Sequence, residues 1–464
     1  MSLAARVSRR IYLLASVTAV TVAAFSSNVS AQSLDAALAA AYINNPSLNS
    51  QRAGTRAVDE NVPQALSGYR PNVSGNVSVG TQYARSTASG VSQDGTLTPR
   101  QYSLTITQTI FNGLLTANTT RRAESQVKGS RETLRNTEQT VMLNAVTAYM
   151  NVIQGIALLE LQQQNLAALQ QELRATRDRF NVGEVTRTDV AQAEARVAQA
   201  QYSVAQAVSN LSSYKAQYRQ VIGVEPGKLT SPGPAIERKI PPSVEGVMAV
   251  ATKEHPAVLA SQYAVDAANF QVRMSEANLS PVLSVQGSLS QSYDQSESVD
   301  SATGAGVMLN LTVPFYQGGA EYSAVRQAKE YLSQARIEVD VNRDAVRTNA
   351  VQYWGALVAA KSQIEAAQAQ VAANTLALEG VREEWRVGQR TTTDVLNAQT
   401  DLTNSKSALV QAQRDRVVAA YSLISVIGKL DAVNLALKVP VYNPKVHYDQ
   451  VRDSWFGLRT PDGK

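Results

Sequence analysis

Cysteine is absent from this 464-residue chain. That excludes disulfide frameworks, thiol nucleophiles and zinc–thiolate sites together. Histidine is nearly as scarce. Only His255 and His447 could offer imidazole, and each lies near a proline rather than a second ligand type, which suits a loop or cap role. No metal or cofactor is expected. Charged residues make up 17% of the chain and aromatics 6%, and no basic run is interleaved with aromatics, so nothing supports nucleic-acid binding. Carboxylates alone could still serve a secreted hydrolase, but the aspartates that repeat occupy helix-capping slots rather than a convergent pair, and no enzyme is expected. Although 44% of residues are hydrophobic, no run beyond the first 31 residues is long enough to span a membrane as a helix.

Those 31 residues have the build of a secretory signal. Arg6, Arg9 and Arg10 form a basic start, Ile11 to Phe25 an apolar stretch, and Val29-Ser30-Ala31 a small-residue cleavage site before Gln32. A retained signal anchor is the alternative. Cleavage removes three arginines and no acid, which lowers the formal charge from +5 to +2. The basic character is partly a property of the leader.

What the chain does have is duplication. FNVGEVTRTDVAQA begins at Phe180 and WRVGQRTTTDVLNA at Trp385, 205 positions later. Ala41-Tyr42-Ile43-Asn44-Asn45-Pro46 answers Ala251-Thr252-Lys253-Glu254-His255-Pro256, Pro71 answers Pro281, and Phe111-Asn112-Gly113 answers Phe315-Tyr316-Gln317-Gly318. Each copy reads helix, strand, loop, strand, long helix, tight turn, long helix. The plan divides the chain into a leader (1–31), a first repeat (32–235), a second repeat (236–438) and a C-terminal tail (439–464).

Alternation of period two follows each proline, as in a strand with two unlike faces. Val73, Val77, Val79 and Tyr83 oppose Ser74, Asn76, Ser78 and Gln82, and Tyr102, Leu104, Ile106 and Ile110 oppose Ser103, Thr105, Thr107 and Thr109. In the second copy Leu283, Val285, Leu289 and Tyr293 oppose serines and Gln286, and Val307, Leu309, Leu311, Val313 and Phe315 complete the set. A soluble sandwich alternates in the same way, but uncharged polar groups on the second face and the leader favour a membrane β-barrel. Four strands cannot close such a barrel, and open edges in lipid leave backbone groups unpaired, so the strands must be pooled in an oligomer. Two chains would give a filled lumen of eight strands, three a pore of twelve.

The stretch from Gly113 to Val182 lacks proline and would be about 100 Å long as a helix. Val152, Leu159, Leu166, Leu173 and Phe180 fall seven apart, and so do Leu357, Ile364, Val371, Leu378 and Trp385. After each turn a second pair of seams is rich in alanine, as in Ala193, Ala200 and Ala207, and Arg416 interrupts the last. Sustained heptads imply coiled-coil packing. Gly183 and Gly388 stand where a left-handed residue ends a helix, and Thr186 to Asp189 and Thr391 to Asp394 fit capping boxes that start the next. Each repeated phrase therefore reads as a hairpin between long antiparallel helices.

The residues that carry a family likeness are Asn45-Pro46, Phe315-Tyr316-Gln317-Gly318-Gly319, Phe180-Asn181-Val182-Gly183 with Thr188-Asp189, and Val387-Gly388 with Arg390-Thr391 and Asp394-Val395-Leu396. In their order and duplication the chain resembles the TolC-like outer-membrane efflux channels over its whole mature length. The resemblance implies a mainly α fold with a small β part. It implies a homotrimer sharing a twelve-stranded outer-membrane barrel in lipid and a periplasmic helical tunnel. It also implies docking to a periplasmic adaptor (membrane fusion protein) and an inner-membrane transporter, for drug efflux or type I protein secretion. The family's gate residues correspond to Trp385 and Arg390 on one hairpin and Thr188 and Asp189 on the other. Trp385 replaces a tyrosine, so it donates but cannot accept. It also continues a heptad seam, so pure packing is a rival role. Asp394 matches one of two aspartate rings in the lumen, whereas the second is Asn397, which implies weaker cation selection at the tip. A periplasmic coiled-coil adaptor or scaffold is the alternative from another class, but it has no need of four lipid-suited strands.

Overall fold

The computed structural model describes residues 32–88, 91–296, 299–461 and 463. The expected leader, 1–31, lies outside the described residues. From Leu34 the chain builds α1 (Leu34–Asn44), α2 (Pro46–Asp59) and α3 (Asn61–Leu66), then β1 (Asn72–Val79), β2 (Gln82–Ala88), β3 (Val91–Leu97) and β4 (Arg100–Phe111). The hairpin of α4 (Leu115–Asn181) and α5 (Arg187–Ile222) completes the first half. The second half gives α6 (Val244–Glu254), α7 (Pro256–Ala277), β5 (Val282–Ser296), β6 (Val299–Thr312), α8 (Ala320–Arg386) and α9 (Thr392–Val426), and the tail adds α10 (Lys445–Val451).

The duplication is visible at the caps. Asn45 accepts from the N–H groups of Ser47 and Leu48 to start α2, with Pro46 in the first turn, where its missing N–H costs nothing. His255 does the same for α7, its Nδ1 accepting from the Ala257 N–H at 3.2 Å. The cap role expected of this histidine is met. His447 departs from expectation, because it lies inside α10 and pairs its Nδ1 with the buried Asp59 carboxylate at 3.1 Å.

Four strands form one antiparallel sheet in the order β1-β4-β5-β6. In the second half the two expected strands run unbroken. In the first, the expected loop is a separate ribbon of β2 and β3. Gly80 N–H donates to the Pro99 carbonyl at the junction, and Pro99 has no N–H with which to continue the ladder. Tyr83, expected on the apolar face of the first strand, therefore sits in the ribbon, where its hydroxyl donates to Asp94 at 2.6 Å. Register places Leu104 opposite Leu289, Val285 opposite Leu309 and Leu283 opposite Leu311 on one face, and Ser103 opposite Ser290 and Thr105 opposite Ser288 on the other. Along β4 the apolar residues are the exposed ones, Leu104 by 43% and Ile106 by 45%, whereas Ser103, Thr105, Thr107 and Thr109 are half-buried. That inverts the arrangement of a soluble sheet and matches a strand set with lipid outside.

Beneath the sheet, α4 packs against α5, α7 and α9, and α8 against α7 and α9. α4 and α8 are each 67 residues long, about 100 Å at 1.5 Å per residue. Part of α4 reaches a mean hydropathy of 1.4, enough by length and composition to cross a membrane, where no such run was expected. Half of that window is buried inside the chain, and Val141 to Val152 form the waist core with α1, Tyr218, Leu423 and Ile424. Arg416 interrupts its seam because its Nε donates to Glu237 at 2.8 Å, while Lys361 holds the other carboxylate oxygen at 2.9 Å. The tail begins at the waist, where the Tyr442 N–H donates to the Tyr42 hydroxyl. It then climbs along α2 toward the foot of β1.

Candidate functional site: the hairpin tips

The two hairpin turns lie at the end of the long helices farthest from the sheet. Gly183 and Gly388 adopt φ of +83° and +80°. In the first turn the Gly183 N–H donates to the Phe180 carbonyl and the Glu184 N–H to that of Arg179. The second repeats this with Gly388 to Trp385 and Gln389 to Glu384, so both close as left-handed C-caps with crossed hydrogen bonds. The next helix starts from a capping box each time: Thr186 with Asp189, and Thr391 with Asp394. Asp394 accepts from the Thr391 N–H and hydroxyl at 3.0 and 2.8 Å. Those donors, aided by nearby Arg390, hold its carboxyl below the usual aspartate value.

The expected site residues all gather at this end, in two kinds of surroundings. Trp385 is buried against Leu378, Val395 and Leu402 and donates its indole N–H to the Thr392 hydroxyl at 3.3 Å. Arg390, Thr188 and Asn397 are exposed. Within one chain Arg390 donates its Nε to Glu384 on its own hairpin at 2.7 Å, and Asp189 is occupied by its own cap. Arg390 and the Thr188–Asp189 pair are therefore not joined inside the chain.

Other residues do join the two hairpins, and no motif marks them in the sequence. Arg179 lies with its guanidinium 4.4 Å from the centre of the Trp385 ring and reaches the Trp385 carbonyl at 3.4 Å. Thr393 donates to Gln192, and Arg196 donates to Asn397 at 3.0 Å. Deeper in, burial pushes the Glu172 carboxyl up while Arg382, Arg179 and Arg386 oppose the shift. Glu384 and Arg179 occupy the same slot in the two repeats, 205 apart, with opposite charge. Each pairs across its own turn, Arg179 with Glu184 and Glu384 with Arg390. Comparison of the two copies by charge, rather than by identity, would have exposed that exchange. Among the described residues no cluster of acids and histidines could hold a metal ion.

A sheet with its apolar face outward, continued by two coiled-coil hairpins of equal length, defines one protomer of a barrel-and-tunnel channel. The chain belongs to the outer membrane efflux protein family, which matches residues 37–224 and 247–429. It is 43% identical over 435 residues to the outer membrane efflux protein BepC of Brucella suis biovar 1 (strain 1330), covering 93% of each chain. It is 28% identical to the outer membrane protein TolC of Escherichia coli (strain K12), covering 90% of this chain and 87% of that one. The solved Campylobacter jejuni CmeC outer membrane channel shares the fold with a TM-score of 0.75, at 16% identity, over 90% of this chain and 89% of that one. The protein is thus an outer-membrane efflux-family member extending into the periplasm, and the family consists of channel proteins.

Proposed function

We propose that three copies form an outer-membrane duct for drugs, toxic compounds or exported protein. The duct would receive cargo from an inner-membrane transporter through a periplasmic adaptor, and open and close at the hairpin tips. The observation that carries the gating part is the meeting of both repeated phrases at the far end of the helices. There Arg390 and Thr188 are exposed while their neighbours Trp385 and Thr392 are packed. Arg390 would exchange Glu384 for Thr188 or Asp189 of an adjacent hairpin, and each such exposed pair is weak because water screens it. Symmetry multiplies that small latch without making it irreversible. Asp394 and Asn397 would line the lumen with one charged ring and one neutral ring.

Planar-bilayer recordings test this reading. Arg390→Ser should raise single-channel conductance and make cells leak large antibiotics, with trimer stability barely altered because the seams remain. Asp394→Ala should lower cation selectivity and block by multivalent cations. It should also remove the N3 half of the capping box that starts α9. If both variants conduct like the parent, the repeated phrase is a helix turn and the gate lies elsewhere.

A further inference from the structure

Near the end of the tail, Trp455–Arg459 has no partner among the described residues that explains its composition. After α10 the chain reaches the foot of β1, where Arg70 directly precedes Pro71 and the strand. Arg70 donates its Nη1 to the Ser454 carbonyl at 2.7 Å, and its guanidinium lies 4.6 Å from the centre of the Trp455 ring. Phe456 lies beside Trp455, its ring tilted by 45° and the ring centres 6.4 Å apart. Gly457, at φ +121°, turns the chain before Leu458 and Arg459. Trp455, Phe456 and Leu458 are 59%, 91% and 103% exposed, a cost that water would impose for no gain. The tail below them is pinned, through His447 on Asp59 and Arg131 5.1 Å from the Tyr448 ring.

We propose that Trp455–Arg459 is an interfacial anchor, seated in the periplasmic leaflet of the outer membrane. The proposal rests on the outer-membrane barrel described above. The argument is continuity. Tyr69, Phe111, Phe315 and Tyr316 are all exposed at the same foot of the strands, directly below the apolar outer face of the sheet. A girdle of tyrosine and phenylalanine at a strand's end marks the level of the lipid headgroups. Trp455 and Phe456 extend that girdle. Arg70 and Arg459 are placed to meet lipid phosphates, and an amphipathic aromatic–basic segment is the composition that headgroup regions hold. The waist segment before it then acts as a strap from barrel foot to helical tunnel.

The chain's other tryptophans make the test clean. Trp354 and Trp385 lie on α8, about 50 and 100 Å below its start at 1.5 Å per residue, beyond the reach of lipid tails. The purified trimer is reconstituted into phosphatidylethanolamine–phosphatidylglycerol vesicles, with and without lipids brominated near the headgroup end of the acyl chain. Wild-type emission should be quenched by the brominated lipid, and Trp455→Phe, which keeps an aromatic ring on Arg70, should lose that quenching. Leu309→Trp in the Trp455→Phe background reports the barrel itself and should be quenched. Loss of quenching there overturns the barrel. If Leu309→Trp is quenched but Trp455 is not, the anchor alone is overturned: blue-shifted Trp455 emission then means a neighbouring chain covers it, and red-shifted emission means water does.

Discussion

At position 255 the second repeat caps its helix with an imidazole where the first repeat uses the amide of Asn45. The cap works only while Nδ1 is unprotonated and can accept from the Ala257 N–H. Burial accordingly drops the His255 pKa from 6.5 to about 4. The unfolded chain takes up this proton near pH 6.5 and the folded chain resists until about pH 4. Between those values the unfolded state binds more protons, so stability is full above pH 6.5 and falls as pH drops through the window. Allowing for partial solvation of a half-buried ring, the loss is about 2 kcal/mol. His255→Asn restores the cap of the other repeat. It should flatten the thermal midpoint between pH 6.5 and pH 4, and an unchanged pH slope would mean that other groups set it. The sequence announced this residue as a cap through its proline neighbour and its partner in the other copy. It could not announce the pairing of His447 with Asp59, because a separation of 388 positions carries no local signal of contact.

The long helices show how periodic patterns make elements legible. The heptads marked both seams, and their predicted members include the buried Val152, Leu173, Leu357, Leu378, Val197 and Leu402. Others, such as Leu159 and Ile364, are half-buried, but Phe180 is exposed at the tip, whereas its counterpart Trp385 is buried. The difference follows from Arg179, which covers Trp385 from the neighbouring hairpin. The paired strands were also legible, since a period of two needs only a few residues to declare itself. The β2–β3 ribbon was not, because Gly80 and Pro99 interrupt the ladder without changing the alternation on either side. The alanines of the second seam make a further demand on packing. Ala193 and Ala200 are 1% and 3% exposed between α4 and α5, in a cluster with Leu169, Leu173 and Leu396. Extra methylenes there have nowhere to go. Ala200→Leu should destabilise the hairpin by about 1–3 kcal/mol, seen as a lowered thermal midpoint by circular dichroism. An unchanged midpoint would show that the seam is loose.

For the whole molecule the governing fact is that the four-stranded sheet has two edges, β1 and β6, with no partner among the described residues. Backbone groups along both edges would sit at membrane depth, where each unpaired group costs several kcal/mol. Only another chain's edge can satisfy them with the same apolar face outward. The absence of cysteine makes this directly measurable, because introduced cysteines have no native competitors. Within one chain β1 and β6 are separated by β4 and β5, about 14 Å at the usual strand spacing. That is twice the Cα separation a disulfide tolerates, about 7 Å. Any disulfide between a cysteine on β1 and one on β6 must therefore join different chains. A scan pairing Val73, Val77 or Val79 on β1 with Val307, Leu309 or Leu311 on β6, all on the apolar face, samples the registers that neighbouring copies could adopt. One register should oxidise readily in native outer membranes and give a denaturing-gel ladder that ends at three chains. A ladder ending at two would mean an eight-stranded barrel with a lumen filled by side chains, too narrow for the tunnel beneath it to feed. No crosslink in any register would mean that the edges are covered in some other way, and the shared barrel would have to be abandoned.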